Sequence, residues 1–130
     1  CFQMTAQELG AASVERIPIK VAVLNNSYLG MVRQWQEMFY DERYSEVYLS
    51  PELPDFVKWA EAMGCVGIRV ESPEEVEPAI ALANSINDRS VVIEFRVDAG
   101  EKVFPMVPAG FGNDDVLLHP NQNDRREFLR

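Results

Sequence analysis

The chain holds 130 residues, 47% hydrophobic and 25% charged, the size and composition of one globular domain with enough apolar side chains to bury a core. Twenty-one acidic against twelve basic residues give a formal net charge of -9 and a sequence pI near 4.5, which argues against nucleic acid or an anionic membrane surface as partner. Cys1, Cys65 and the lone His119 are too few and too scattered for a disulfide framework, a structural zinc site or a Ser-His or Cys-His triad. Chemistry has to come from amides, carboxylates, backbone or a cofactor. No apolar run approaches the roughly 20 residues of a spanning helix, and Cys1-Phe2-Gln3-Met4 offers neither a basic region nor an apolar signal stretch, so the expected location is the cytoplasm.

In chain order, Thr5 followed three residues later by Glu8 has the capping-box pattern and predicts a helix from about Ala6 to Glu15, stopped by Pro18. Ile19 to Leu24 is a β-branched run of the kind found in strands buried on both faces, ending at Asn25-Asn26. After the loop to Gly30, the spacing of Met31, Val32, Trp35, Met38 and Phe39 predicts a second helix ending near Tyr40, with Arg33, Gln34, Gln36 and Glu37 between the apolar positions. Asp55 as N-cap and Gly64 past the end bracket a third helix with Phe56, Val57, Ala60 and Met63 on its apolar stripe. Val66 to Val70 is a candidate strand. Ser72-Pro73-Glu74-Glu75 opens a fourth helix whose buried face would be Val76, Ile80 and Ala83. Val91 to Val97 is the last strand.

Helices alternating with short apolar strands imply a parallel sheet connected by right-handed crossovers. Such a chain ordinarily opens with a strand feeding its first helix, whereas here the predicted helix comes first. The expectation is therefore an α/β fold, a partial doubly wound parallel sheet with flanking helices and its first strand missing. Residues 1–98 would form the domain and 99–130, with Pro105, Pro108, Gly110 and Gly112, a tail or lid.

In an open parallel sheet, ligands bind beyond the carboxyl ends of the strands, and Asn25-Asn26 occupies that place. An amide oxygen is a neutral, hard ligand suited to Mg²⁺, with a loop carbonyl as a companion. The same dipeptide also suits a plain strand-to-loop turn, because Asn caps itself and tolerates left-handed backbone. On spacing alone, Met31, Val32 and Trp35 belong to the core, as do Phe39, Phe56, Trp59 and Phe95. The cluster Asn113-Asp114-Asp115 reads as solvated tail rather than as a metal patch.

Several segments carry a resemblance. Cys1-Phe2-Gln3-Met4-Thr5, Leu24-Asn25-Asn26, Leu29-Gly30-Met31-Val32-Arg33-Gln34-Trp35-Gln36, Phe39-Tyr40, Arg43-Tyr44-Ser45, Pro54-Asp55-Phe56, Ala60-Glu61-Ala62-Met63-Gly64 and Phe104-Pro105-Met106-Val107 closely resemble the catalytic large subunit of the acetohydroxyacid (acetolactate) synthase family. The resemblance covers essentially the whole chain and implies a thiamine-diphosphate-binding fold. In that family a Gly-Asp-Gly precedes the position of Cys1 and completes the cofactor motif with the double Asn. The resemblance implies Asn26 as a side-chain ligand and Tyr28 as a backbone-carbonyl ligand of Mg²⁺, so that the ring of Tyr28 should matter little. It also implies Cys1, Phe2, Gly30 and Met31 beside the cofactor, with the first helix aiming its positive end at the diphosphate. Met31, Val32 and Trp35 would line the substrate channel, and Trp35 and Ala109 match positions where herbicides act in the family.

The implied reaction condenses pyruvate with pyruvate or 2-ketobutyrate and releases CO2, opening branched-chain amino-acid synthesis, with thiamine diphosphate as electron sink. FAD and the catalytic acid would lie outside these residues, which alone should be inactive. Partners implied are a second subunit in a homodimer or higher oligomer and a regulatory small subunit. The alternatives are another thiamine-diphosphate enzyme (a ketoacid decarboxylase, glyoxylate carboligase or catabolic acetolactate synthase) and a non-catalytic α/β binding module. Gln34-Trp35-Gln36 after Gly30-Met31 argues for the biosynthetic synthase.

Overall fold

The computed structural model describes residues 2–50 and 54–118. The chain divides into two compact units, Cys1–Ala99 and Gly100–Arg130. The first is built from α1 (Glu8–Val14), β1 (Lys20–Asn25), α2 (Gly30–Phe39), α3 (Phe56–Ala62), β2 (Val66–Val70), α4 (Val76–Ser85) and β3 (Val91–Arg96). The three strands are parallel in the order β1-β3-β2, so the last strand in sequence is the middle one. Lys20 pairs with Val91 and Asn25 with Arg96 on one side, and Val66 pairs with Val91 and Val70 with Phe95 on the other. All three strands therefore end together at one edge.

The core follows from the two faces of β3, whose successive side chains point to opposite sides. Val91 and Ile93 join Val70, Ala79 and Ala83 beneath α4. Val92 joins Leu9, Ala60 and Cys65 beneath α1 and α3. The close approach of α3 to β2 rests on Gly67, where a Cβ would lie 2.7 Å from the Val57 carbonyl oxygen. Asp55 caps α3 as expected, its Oδ1 accepting from the amides of Val57 and Lys58 (3.1 Å each), and Gly64 leaves the helix with φ +77°.

Four expectations are corrected. Thr5 does not cap α1: a 3₁₀ turn over Phe2–Met4 comes first, and Gln7 holds the N-cap position without a side-chain bond. β1 is not buried on both faces; Ala22 and Leu24 are exposed, Leu24 by 72%. In α4, Ala79 and Ala83 are buried while Ile80 is exposed. Glu75 does return to the Ser72 amide (3.2 Å), but Pro73–Glu75 form a 3₁₀ turn, whose three residues per turn shift the phase of the α-helix that continues from it. The fourth is α2, where the one buried residue is the polar Gln34, while Met31, Val32 and Phe39 are exposed. Phe56 is buried, and Trp59 and Phe95 are partly so.

In the second unit, Met106 and Leu117 exchange amide-to-carbonyl bonds of 3.0 and 2.8 Å in an antiparallel bridge. The carboxylate of Asp115 accepts from the Gly112 amide (3.2 Å), a local turn rather than a ligand cluster. Among the described residues no helix is long and apolar enough to cross a membrane.

Candidate functional site

The carboxyl ends of the strands carry a cavity of about 270 Å³ lined by residues that include Phe2, Gln3, Asn25, Asn26, Tyr28 and Phe56. Three of the residues singled out from sequence, Phe2, Asn26 and Tyr28, therefore meet in one place although they come from separate parts of the chain. Asn26 folds back on its own loop, its Oδ1 accepting from the Tyr28 amide (3.1 Å). Gly30, the first residue of α2, makes room for it: a Cβ on Gly30 would lie 3.2 Å from Asn26 Nδ2. Of the two remaining predicted cofactor contacts, Met31 lines a separate groove along α2 rather than this cavity, and Cys1 lies outside the described residues.

The Phe2 ring packs near Phe56 and Trp59 (centroids 5.9 and 6.3 Å), so its 3₁₀ turn is fixed beside the cavity. That turn, rather than the first turn of α1, borders the cavity, and α1 carries the acidic Glu8 at its own start. Tyr28 is held through its ring as well. Its ring lies 5.3 Å from that of Tyr48, and the Arg33 guanidinium sits over it at 4.9 Å and over Tyr44 at 5.3 Å. This cation–π stack ties the loop to α2. Arg33 also pairs with Glu37 (3.8 Å) and donates to the Ala99 carbonyl.

Two oxygens here have the chemistry a hard cation needs. Asn26 Oδ1 accepts one hydrogen bond and has a second lone pair, and the Tyr28 carbonyl is two residues along the same loop. Among the described residues there is no group of three His, Cys, Asp or Glu able to hold a metal. Among the described residues, the oxygens this loop offers a cation are neutral. These oxygens fit a hard cation such as Mg²⁺ and do not suit zinc or copper.

Beyond Gly30 the apolar stripe of α2 faces a groove of about 550 Å³ lined by Met31, Val32, Trp35, Gln36, Phe39, Tyr40, Asp41 and Arg43. Trp35 and Phe39 meet edge to face at 5.4 Å. Gln36 holds the following loop through both amide atoms, accepting from Ser45 N (3.2 Å) and donating to Ser45 O (3.1 Å). Core placement of Met31, Val32 and Phe39 from spacing alone is therefore overturned: the stripe faces outward because Gln34 takes the buried side of the helix.

Sequence reasoning passed over Glu94, in the middle of the last strand. Its side chain is 0% exposed. Oε1 accepts from Asn25 Nδ2 (2.6 Å) and faces Arg96 Nε (3.1 Å), while Oε2 accepts from Arg69 Nε (2.8 Å). Arg69 reaches on to Asp55 Oδ1 (2.8 Å). Asp55 is held below the usual carboxylate range, chiefly by the Lys58 backbone amide and then by the Arg69 and Lys58 charges, against the upward push of burial. The signal available in sequence was an acid within Val91-Val92-Ile93-Glu94-Phe95, since a charge in a buried strand requires partners.

In a parallel α/β sheet the carboxyl ends of the strands, where this loop and cavity lie, are the usual place for a ligand. The chain belongs to the family described as thiamine pyrophosphate enzyme, C-terminal TPP binding domain, whose match runs over residues 1–95. It is 59% identical over 119 residues to the acetolactate synthase of Mycobacterium avium, covering 89% of this chain and 19% of that protein. It is 56% identical to the acetolactate synthase large subunit of Corynebacterium glutamicum over the same shares. To the acetolactate synthase isozyme 3 large subunit of Escherichia coli it is 46% identical, covering 90% of this chain and 21% of that protein. The chain thus spans about a fifth of the length of these curated relatives.

Proposed function

We propose that this chain forms the cofactor- and substrate-facing part of an acetolactate synthase, joining pyruvate to pyruvate or 2-ketobutyrate with loss of CO2. The observation that carries the reading is the course of α2. It begins at Gly30 against the Asn26 amide and turns Met31, Val32 and Trp35 into an apolar groove, so one helix connects an ion-holding loop to a wall suited to small ketoacids. Relatives over nine-tenths of the chain carry the acetolactate synthase name, which does not favour a ketoacid decarboxylase or a non-catalytic module.

In this reading Asn26 Oδ1 and the Tyr28 carbonyl would hold Mg²⁺ beside the diphosphate of thiamine diphosphate. When bound, the cofactor supplies the electron sink for decarboxylation and carbon–carbon bond formation. Phe2 forms an apolar side of the cavity, and Met31 begins the apolar groove beyond Gly30. Trp35 and Val32 give the second ketoacid a wall, so that one extra methylene is worth about 1 kcal/mol or somewhat more. Residues 99–130 act as a tail or lid. FAD, a homodimeric or larger assembly, a regulatory small subunit and a cytoplasmic location complete the proposal.

The test is to incubate the complete enzyme with pyruvate, with and without thiamine diphosphate and Mg²⁺, and to measure acetolactate and CO2. Acetolactate formed only with both additions supports the reading. CO2 and acetaldehyde without acetolactate would mean a decarboxylase.

A further inference from the structure

The Glu94 network reaches the candidate ligand loop through Asn25. Asn25 has its backbone carbonyl fixed by the Val97 amide (3.1 Å). Its Nδ2 donates to Glu94 Oε1 (2.6 Å), which leaves its Oδ1 facing the other way, onto the Ser27 amide (3.0 Å). Ser27 sits at φ +63°, a left-handed conformation that a residue with a Cβ adopts only when its surroundings impose it. The Ser27 carbonyl in turn accepts from Leu49 N (2.8 Å). Asn26 and Tyr28 flank this residue on either side, so whatever holds Ser27 in that turn sets the directions of the Asn26 amide oxygen and the Tyr28 carbonyl.

We propose that Glu94 and Asn25 are positioning residues: the buried carboxylate fixes which way the Asn25 amide points, and that amide holds the Ser27 turn that aims the two candidate Mg²⁺ ligands. The two amide atoms of Asn25 are interchangeable in shape, and two partners set their order: the donor-only Ser27 amide takes the oxygen, and the acceptor-only Glu94 carboxylate at 2.6 Å takes the NH2 and anchors it to the sheet. Glu94 is held in turn by Arg69 from β2 and Arg96 from its own strand, and Arg69 by the cap of α3. The carboxyl ends of all three strands and the start of α3 are thus locked to the loop. The double Asn divides its labour: the second residue is a ligand, and the first orients it. This inference rests on the reading of Asn26 and Tyr28 as ligands, and it contradicts the simpler view that the first Asn is incidental.

The complete enzyme is compared with its Asn25→Ala, Glu94→Gln and Asn26→Ala variants by two readouts. Hydrogen exchange over residues 25–30 is followed without metal or cofactor, and Mg²⁺ affinity is measured by calorimetry with thiamine diphosphate present. In Glu94→Gln the side chain keeps its shape, but the acceptor that Asn25 requires is lost or reversed. Both Asn25→Ala and Glu94→Gln are expected to speed exchange at 25–30 and to weaken Mg²⁺ about tenfold, the scale found when the partner of a metal ligand is removed. The KM for pyruvate at saturating cofactor and metal should be unchanged, which a general loosening of the fold would not leave intact. Should Glu94→Gln fail to fold, Asn25→Ala, which retains Glu94 with both arginines, decides. If Asn26→Ala weakens Mg²⁺ while Asn25→Ala leaves both affinity and exchange unaltered, the positioning role is wrong and the ligand reading stands. If Asn26→Ala leaves Mg²⁺ binding intact, the ligand reading itself is wrong and the positioning role falls with it.

Discussion

Replacing Gly30 by alanine separates the stability of α2 from the aim of its neighbouring loop. Gly30 is the first residue of the helix, and its φ lies outside the left-handed region, so alanine adopts its backbone without strain. On propensity alone the change should be neutral or stabilise by up to about 1 kcal/mol, with the lower figure expected at a helix start. The added Cβ, however, would stand 3.2 Å from Asn26 Nδ2, closer than ordinary van der Waals contact by a few tenths of an ångström. Asn26 must move by about that much, and metal–ligand distances tolerate only about 0.2 Å. The expected outcome for Gly30→Ala in the complete enzyme is an unchanged or raised melting temperature with several-fold weaker Mg²⁺ binding. Thermal melting and calorimetry with Mg²⁺ at fixed thiamine diphosphate measure the two effects. A variant that melts several degrees lower, or one that binds Mg²⁺ as the parent does, would refute the reasoning.

Trp35→Leu removes the flat wall of the α2 groove and should reduce the preference for 2-ketobutyrate over pyruvate by roughly fivefold or more, with little change in cofactor affinity. An unaltered product ratio in competition would show that the indole only packs. Gly67→Ala places a Cβ 2.7 Å from the Val57 carbonyl oxygen and 2.9 Å from Val57 Cα; because backbone cannot yield as a side chain does, a loss of about 1–3 kcal/mol is expected in chemical denaturation. Asp55, whose native pKa is depressed, contributes stability that is present above its unfolded value of about 3.9 and lost as pH falls through the lower native value. Asp55→Asn should therefore flatten the acid limb of the melting-temperature profile, and an unchanged limb would show that the depression contributes nothing.

Legibility from sequence followed the chemistry that each signal reports. The cap of α3 and the capping box of the 3₁₀ turn that leads into α4 were readable because Asp55 and Ser72-Pro73-Glu75 act on amides within their own turn. Val66–Val70 and Val91–Arg96 stood out as β-branched runs, and parallel pairing followed from their alternation with helices. Exposure was harder to read. Val21, Val23 and Leu24 look like a strand buried on both faces, yet β1 lies at one side of the three-stranded sheet and shows Leu24 to solvent. An apolar stripe states that α2 is amphipathic and not which side is covered, so Gln34 inside and Met31 and Val32 outside could not be read from periodicity. Within the candidate site, Asn26 and Tyr28 were named by the family resemblance, which a short local motif carries, whereas the residues alone left a plain turn open. Glu94 was missed because its partners, Asn25, Arg69 and Arg96, assemble only when β1, β2 and β3 align.

The central claim is that Asn26 and Tyr28, at the carboxyl edge of the sheet, hold the metal that secures thiamine diphosphate. Calorimetric titration of Mg²⁺ into the complete enzyme with thiamine diphosphate present, for the parent and for Asn26→Ala, tests it most directly. Loss of one of few oxygen ligands should weaken Mg²⁺ by at least about tenfold and weaken the cofactor with it, in a protein whose melting temperature without ligands is unchanged. Equal Mg²⁺ affinity in the two proteins would contradict the account.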